Sequence, residues 1–439
     1  MSHSLLCLRQ LLRFSRWGTR YDHGDEGVRQ TLLDFAVQKL LCAGLGVKPL
    51  RPAQVYAVLS QRLALDINTP QYLFNSANPL DAVRNMHEQI ANHMRVCVAV
   101  GGGIESLRGI AASEPILSEA ASLIMTSDKT NFSLPASLSL VLTGFSINQG
   151  DRGELLVAAF FTWARDRVIL GKLPRTRERF CHYFSVTDLF SHLFSESVFA
   201  SMLDDLPSLC HTKWKRSFGD VFGKATMQFN HVLKPQAQKL LARRFLLYFM
   251  ARGAAALGAN CQPGFDAVYP YLYDSLNLDV KKVGFIMVQV KNDSNASRSD
   301  DANIFKKMDP FKCGLLNDSD KEDGRFPIPI IRLLFTLSRI SKPGLTQVTY
   351  KVPSMGAAVL GEDALPLFTS YDYVCSGISP EVLRPVEESP DTWAALANKP
   401  DKWSSFYDVP VPNVLRSQIP GCGDNEAHFS SWLGVTVFP

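Results

Sequence analysis

Residues 262–270, QPGFDAVYP, and 284–293, GFIMVQVKND, decide how this chain is read. Both are runs of branched, aromatic and aliphatic residues, and they predict two neighbouring β-strands. Pro263-Gly264 opens the first as a turn, and Asp266 stands at its start among Phe265, Ala267 and Val268. In the second, Gln289 and Lys291 lie two residues apart, so their side chains leave the same face. Pairing of the strands brings Asp266 to that face too. A carboxylate, an amide oxygen and an ammonium at one sheet edge suit a divalent cation and phosphodiester chemistry. Each residue also has a plainer use: Asp after Pro-Gly is a common turn residue, and a strand-end lysine often only reaches water.

The pattern Asp266…Gln289-Val290-Lys291 resembles the PD-(D/E)XK nuclease superfamily, in the Mrr-type branch where Gln replaces the second acid. Wider phrases extend the likeness: RGELLVAAFFTWARDR (152–167), FNHVLK (229–234), ARGAAALGANCQPGFD (251–266) and VQVKND (288–293). Together they are similar to the C-terminal part of large fungal proteins related to Crinkler-type effectors. In those proteins a P-loop NTPase segment often precedes a nuclease-like module. The similarity runs from about Asp25 to Gly377.

The resemblance implies an α+β or α/β protein in which a helical N-terminal half precedes a restriction-endonuclease-like mixed sheet flanked by helices. It implies Mg²⁺ or Mn²⁺ held by Asp266, the Gln289 amide oxygen and the Val290 main-chain carbonyl. Lys291 would orient the attacking water and stabilise the developing phosphorane. Glu154, on the first core helix, would join the metal site. Asp151 and Glu154 also have capping-box spacing ahead of an apolar run, which gives Glu154 a sufficient structural role. Its sequence distance from Asp266 requires a helical insertion at about 172–234. The domains then run 1–147 and 148–439. The alternative is a nuclease fold whose catalysis has decayed, kept as a nucleic-acid- or protein-binding module. No GxxxxGK[ST] occurs in the chain, so an NTPase step is not expected from these residues.

At 439 residues and 46% hydrophobic, the chain can bury one large or two ordinary cores. A charged fraction of 20% and a net charge of +4 suit an ordered globular protein, and the overall balance does not itself announce nucleic acid. The distribution of charge does more. Between Pro207 and Arg252 nine Lys/Arg face a single acid, Asp220, with aromatics interleaved. Lys234, Lys239, Arg243, Arg244 and Arg252 are thereby expected to contact phosphates; a solvated helical face over core aromatics is the competing reading. Helical surfaces in the first half offer a place for a protein partner.

Nine scattered cysteines without CxxC suit reduced thiols in an intracellular protein of the nucleus or cytoplasm. Cys181-His182 and Cys210-His211 lack zinc-site spacing. No apolar run reaches the roughly 18 residues of a membrane span. Arg9, Arg13, Arg16 and Arg20 precede the first acid, a pattern shared by mitochondrial transit peptides and by an ordinary first helix.

Along the chain, apolar spacing predicts helices at 28–44, 52–65, 80–100, 114–125 and 150–170, and a basic helix with a Gly/Ala-rich end at 234–259. Gly101-Gly102-Gly103 reads as a helix-ending turn. Residues 292–325 read as a loop, 327–337 and 368–376 as further strands of the same sheet, and 433–438 as a short closing strand.

Overall fold

Gly264 has φ of +94°, which L side chains rarely adopt, and a β-carbon there would meet Cys313 Sγ and Lys307 O at 2.4 Å. That turn launches the hairpin around which the protein is built. The computed structural model describes residues 26–46, 48–63, 65, 67–68, 87–100, 107–111, 115–144, 149–172, 183–210, 216–235, 241–258, 262–292, 301–338, 343–350 and 366–398.

In chain order the first layer is α1 (Glu26–Leu41), α2 (Pro52–Leu63), β1 (Ile67–Asn68), β2 (Arg95–Val100), β3 (Leu107–Ala111), α3 (Pro115–Thr126) and α4 (Leu134–Gly144). The long α5 (Gln149–Lys172) follows, then β4 (Phe184–Ser185), α6 (Val186–Leu193), α7 (Glu196–Leu203), α8 (Phe218–Phe222), β5 (Ala225–Met227) and β6 (His231–Leu233). The remainder is α9 (Arg243–Ala251), β7 (Ala254–Leu257), β8 (Ala267–Tyr273), β9 (Val283–Lys291), α10 (Asp301–Lys307), β10 (Ile330–Thr336), β11 (Gly344–Gln347), β12 (Ser370–Ser376) and α11 (Pro390–Ala397). The protein is of mixed α and β structure.

The predicted hairpin forms. β8 and β9 pair antiparallel from Ala267↔Val288 to Leu272↔Val283. Gly284 sits opposite Tyr271, where a β-carbon would lie 2.4 Å from the tyrosine ring, so only glycine allows that close pairing. β10 runs parallel to β9 and β12 parallel to β10, as expected for buried apolar strands joined by crossovers. β7 and β5 pair with opposite ends of β8, both antiparallel.

Cross-strand register assigns the two faces. Tyr269, Ile286, Val290 and Phe335 share the face covered by α5, where Phe161 stacks on Tyr269 at 4.1 Å and meets Phe335 edge-on. Gln289, Lys291, Met287 and Arg332 belong to the opposite face. There Arg332 donates to the Phe305 and Met308 carbonyls and so fixes α10 against the sheet. The result is helices on both faces of one sheet.

Several expectations are corrected. The first half is not all helix: β1–β3 form a small antiparallel sheet, and 80–100 is not one helix. Met94 takes φ of +59°, ending the turn of helix before it, and RVCVAV continues as β2. Arg95 then donates from inside to the Leu65 and Gly109 carbonyls. The Gly/Ala-rich segment is not a helix end. Gly253, at φ +65°, stops α9, and Ala254–Leu257 is a buried strand between β6 and β8, where small side chains admit close packing. The insertion at 172–234 is only partly helical, since β4, β5 and β6 extend the sheet. Residues 292–325 contain α10 as well as loop. The N-terminal arginines, Gly101–Gly103, Cys181-His182, His211 and the strand at 433–438 lie outside the described residues.

The N-terminal helices share their core with the sheet. Tyr56, Leu59 and Leu138 belong to the same buried cluster as Phe161, Tyr269 and Phe335. A polar network crosses the same boundary. Arg62 of α2 makes a two-point ion pair with Asp166 of α5 at 2.8 and 3.0 Å, and Arg165 binds Glu119 of α3 at 2.8 Å. Burial alone would raise the Asp166 pKa, but Arg62 and Arg165 outweigh it and hold the carboxyl below its ordinary range.

Candidate functional site

Asp266 lies just before β8, where the regular ladder ends. Its amide donates to Val288 O at 2.7 Å, and its carbonyl accepts from Gly258 N at 2.7 Å. A β-carbon on Gly258 would come within 2.9 Å of Phe265 O, so glycine lets the end of β7 approach this turn. The Asp266 carboxylate then does what a main-chain carbonyl does further along. Its Oδ2 accepts the Val290 amide at 2.6 Å and Gln289 Nε2 at 2.5 Å. Gln289 is therefore oriented with its nitrogen on Asp266, which leaves its amide oxygen as the remaining acceptor. Asp266, Gln289 and Lys291 share a face, as the two-residue spacing predicts.

Glu154 arrives from the other side of the sheet. Gly153 sits on the end of β9, where a β-carbon would stand 3.0 Å from both Val290 Cγ1 and Asn292 Cβ. Helix α5 can press this close only because position 153 is glycine. Asp151 lies within the first turn of α5 rather than capping it, so Asp151 and Glu154, three apart, project from one face of the helix.

Charge couples these groups into one site. Burial, followed by the charges of Asp266 and Asp151, pushes the Glu154 carboxyl up to about 8, with Lys234 and Lys291 opposing. Burial pushes Asp266 up to about 6, against the Val290 amide, Lys291 and Lys234. Both carboxyls are thus biased towards the protonated form, that of Glu154 in part by the charge of Asp266.

Structure thus joins Asp266 and Gln289 by a hydrogen bond and sets Lys291 on their face, while Glu154, on α5 at the other face, is near enough for its carboxyl to feel the charges of Asp266 and Lys291. It adds two residues that the sequence reading placed elsewhere. Asp151, read as a cap, is a third carboxyl. Lys234, read as a phosphate contact, follows β6 and acts on both Glu154 and Asp266. The signal for Asp151 was its three-residue spacing from Glu154. Nothing in the sequence pointed Lys234 inward.

The remaining basic residues divide. Arg243 and Arg252 are each 4% exposed and do not form a basic surface. Arg243 donates to the Lys281 and Val283 carbonyls, pairs with Asp320 at 3.3 Å and lies over the Phe326 ring. Arg252 is packed near His231, whose pKa is pushed down to about 3 by burial and then by Arg252 and two further arginines. Arg244 is exposed. Lys239, with Lys213 and Lys215, lies outside the described residues. Phe218, Phe222, Phe229 and Phe249 are core residues, as the competing reading has it.

Hard oxygen donors from Asp266, Gln289 and Glu154 fit Mg²⁺ or Mn²⁺, which readily keep waters in their shells. Among the described residues no three His, Cys, Asp or Glu side chains stand close enough to form a ready-made cage.

The carboxyl shift makes a prediction. Glu154 is held at about 8 in the folded protein against an ordinary 4.5, so between those values the folded state carries more protons than the unfolded one. Stability must then fall as pH rises through that window. In chelator, Glu154→Gln is expected to melt a few degrees above the wild type at pH 8.5 and level with it near pH 4. A variant that melts lower at pH 8.5 would show that Glu154 is ionised and paired instead.

Compared with known proteins, the chain matches no family model, no curated protein and no solved structure. Among the described residues no helix is long and apolar enough to cross a membrane.

Proposed function

We propose that this protein is a Mg²⁺- or Mn²⁺-dependent nuclease with a restriction-endonuclease-like core. The observation that carries the reading is the hydrogen bond of Gln289 to Asp266 on the sheet face that Lys291 shares, with Glu154 near enough for its carboxyl to feel both charges. A mixed sheet flanked by helices, in which the Asp266 and Lys291 strands pair, is compatible with that reading.

In this reading Asp266 is the anchor, with Oδ2 taken by Gln289 and Val290 and Oδ1 left for the cation. A bound cation would neutralise phosphate charge and make a coordinated water more acidic. Lys291 positions the water and the phosphoryl oxygens. Glu154 would supply the charge that Gln289 lacks and would release its proton on doing so. Metal affinity is then expected to rise steeply between about pH 6 and pH 8.

One observation favours the alternative, a decayed module that only binds nucleic acid or a protein. The Gln289 amide is neutral and turns its nitrogen to Asp266. The test is cleavage of end-labelled DNA and RNA, single- and double-stranded, by purified protein with Mg²⁺, Mn²⁺ or chelator. It is paired with Mn²⁺ titration of Gln289→Glu. An active site should cleave only with metal, and Gln289→Glu should bind Mn²⁺ more than tenfold tighter. No cleavage of any substrate, together with unchanged Mn²⁺ affinity in the variant, overturns the nuclease reading.

A further inference from the structure

A basic hollow lies beside the Asp266 turn, lined by Pro263, Asn303, Lys306, Lys307, Lys312 and Cys313. Its three lysines are exposed. Lys306 and Lys307 occupy the last turn of α10, and Lys312 follows one turn of chain later. Asp309, which lies between Lys307 and Lys312 in the chain, has its carboxylate on the Phe311 and Lys312 amides.

The hollow borders the turn that precedes Asp266. Cys313 Sγ lies 3.2 Å from Lys307 O and 3.5 Å from Pro263 O, closing the end of α10 onto the turn that carries Asp266. Any side chain at Gly264 would force these segments apart. Arg332, on the same face as Gln289 and Lys291, holds the Phe305 and Met308 carbonyls at 2.8 and 3.2 Å. The end of α10 that carries the lysines is therefore fixed both to the Pro263-Gly264 turn before Asp266 and to Arg332 of the sheet.

We infer that Lys306, Lys307 and Lys312 hold the sugar-phosphate backbone of a nucleic acid strand next to its point of entry into the Asp266–Lys291 site. This adds to Arg244 a second place for phosphate contacts and rests on the nuclease reading. The chemistry is that of a phosphodiester chain: repeated negative charges, met by mobile ammonium groups that release counterions on contact. Three lysines on a short arc suit consecutive phosphates of one strand without reading base sequence.

The experiment measures binding without cleavage, by fluorescence anisotropy of labelled DNA and RNA oligonucleotides on the full chain in chelator. Lys306→Ala/Lys307→Ala/Lys312→Ala is compared with wild type and with Asp266→Asn across a salt series. The expected result is a loss of affinity of at least tenfold, and a salt slope smaller by about 3, one for each phosphate contact removed. Asp266→Asn should bind at least as tightly as wild type. Because the lysines are exposed, the triple variant should keep its circular dichroism and melting temperature. Wild-type binding lost in the triple variant, in a protein that cleaves nothing, would uphold the hollow while the nuclease reading fails. An unchanged slope in the triple variant, or no wild-type binding to DNA or RNA at low salt, would overturn the inference. The relative slopes on DNA and RNA identify the preferred backbone.

Discussion

Lys291→Ala is expected to lower metal-dependent cleavage by about 10²–10⁴-fold, the range for losing a positioned proton-transfer or charge-stabilising group. Its Mn²⁺ affinity should stay near that of the wild type, or rise, because the ammonium repels a cation. Asp266→Ala should abolish both cleavage and metal binding, since Asp266 is the carboxylate to which Gln289 and Val290 are oriented. Single-turnover cleavage beside Mn²⁺ titration separates the two roles. A Lys291→Ala protein that cleaves at the wild-type rate would remove Lys291 from the chemistry. Loss of metal binding in Lys291→Ala would make it a structural partner of Asp266.

The second large effect is on stability. Asp372 is fully buried and takes Arg332 through two bonds, at 2.7 and 2.5 Å, while the Tyr350 hydroxyl donates to the same carboxylate at 2.8 Å. Asp372→Ala leaves the Arg332 guanidinium buried without its counter-charge, at a cost of about 3–5 kcal/mol. Arg332 also fixes α10, so the basic hollow should loosen with it. Denaturant unfolding should show the loss as a lowered midpoint. Replacing both partners with apolar residues, Arg332→Met/Asp372→Leu, should recover much of it, because no uncompensated charge remains. A single variant within about 1 kcal/mol of wild type would mean that water reaches Arg332.

The hairpin was legible because a period of two and a Pro-Gly turn leave little freedom. Once Ala267 meets Val288, the faces of Asp266, Gln289 and Lys291 follow. The helix that carries Glu154 was legible through its apolar run from Leu155 to Ala164. The partners of the arginines were not: a guanidinium in sequence looks the same whether it meets a phosphate or, like Arg243, the Val283 carbonyl and the Phe326 ring. Alanine misled for a different reason. Ala254–Ala256 has high helix propensity, but pairing on both sides with β6 and β8 outweighs it. At 95–100 the switch to strand rests on one left-handed residue, Met94, with no glycine to mark it.

The buried network of Arg62, Glu119, Arg165 and Asp166 has a consequence for synthesis on the ribosome. Its charged members all lie in the first 166 residues of the chain, while Phe229 and Asn230 supply carbonyls to the two arginines later. As the chain emerges, α2 and α3 are already present when α5 appears, so Asp166 can be neutralised before any strand of the large sheet exists. The sheet then condenses on a helix whose charges are settled. A circular permutant that begins at α5 and ends with α4 would reverse this schedule. It would leave Arg165 and Asp166 in a forming apolar core without Arg62 and Glu119, with only each other and the Phe229 carbonyl as partners, and should refold more slowly and aggregate more than the native order.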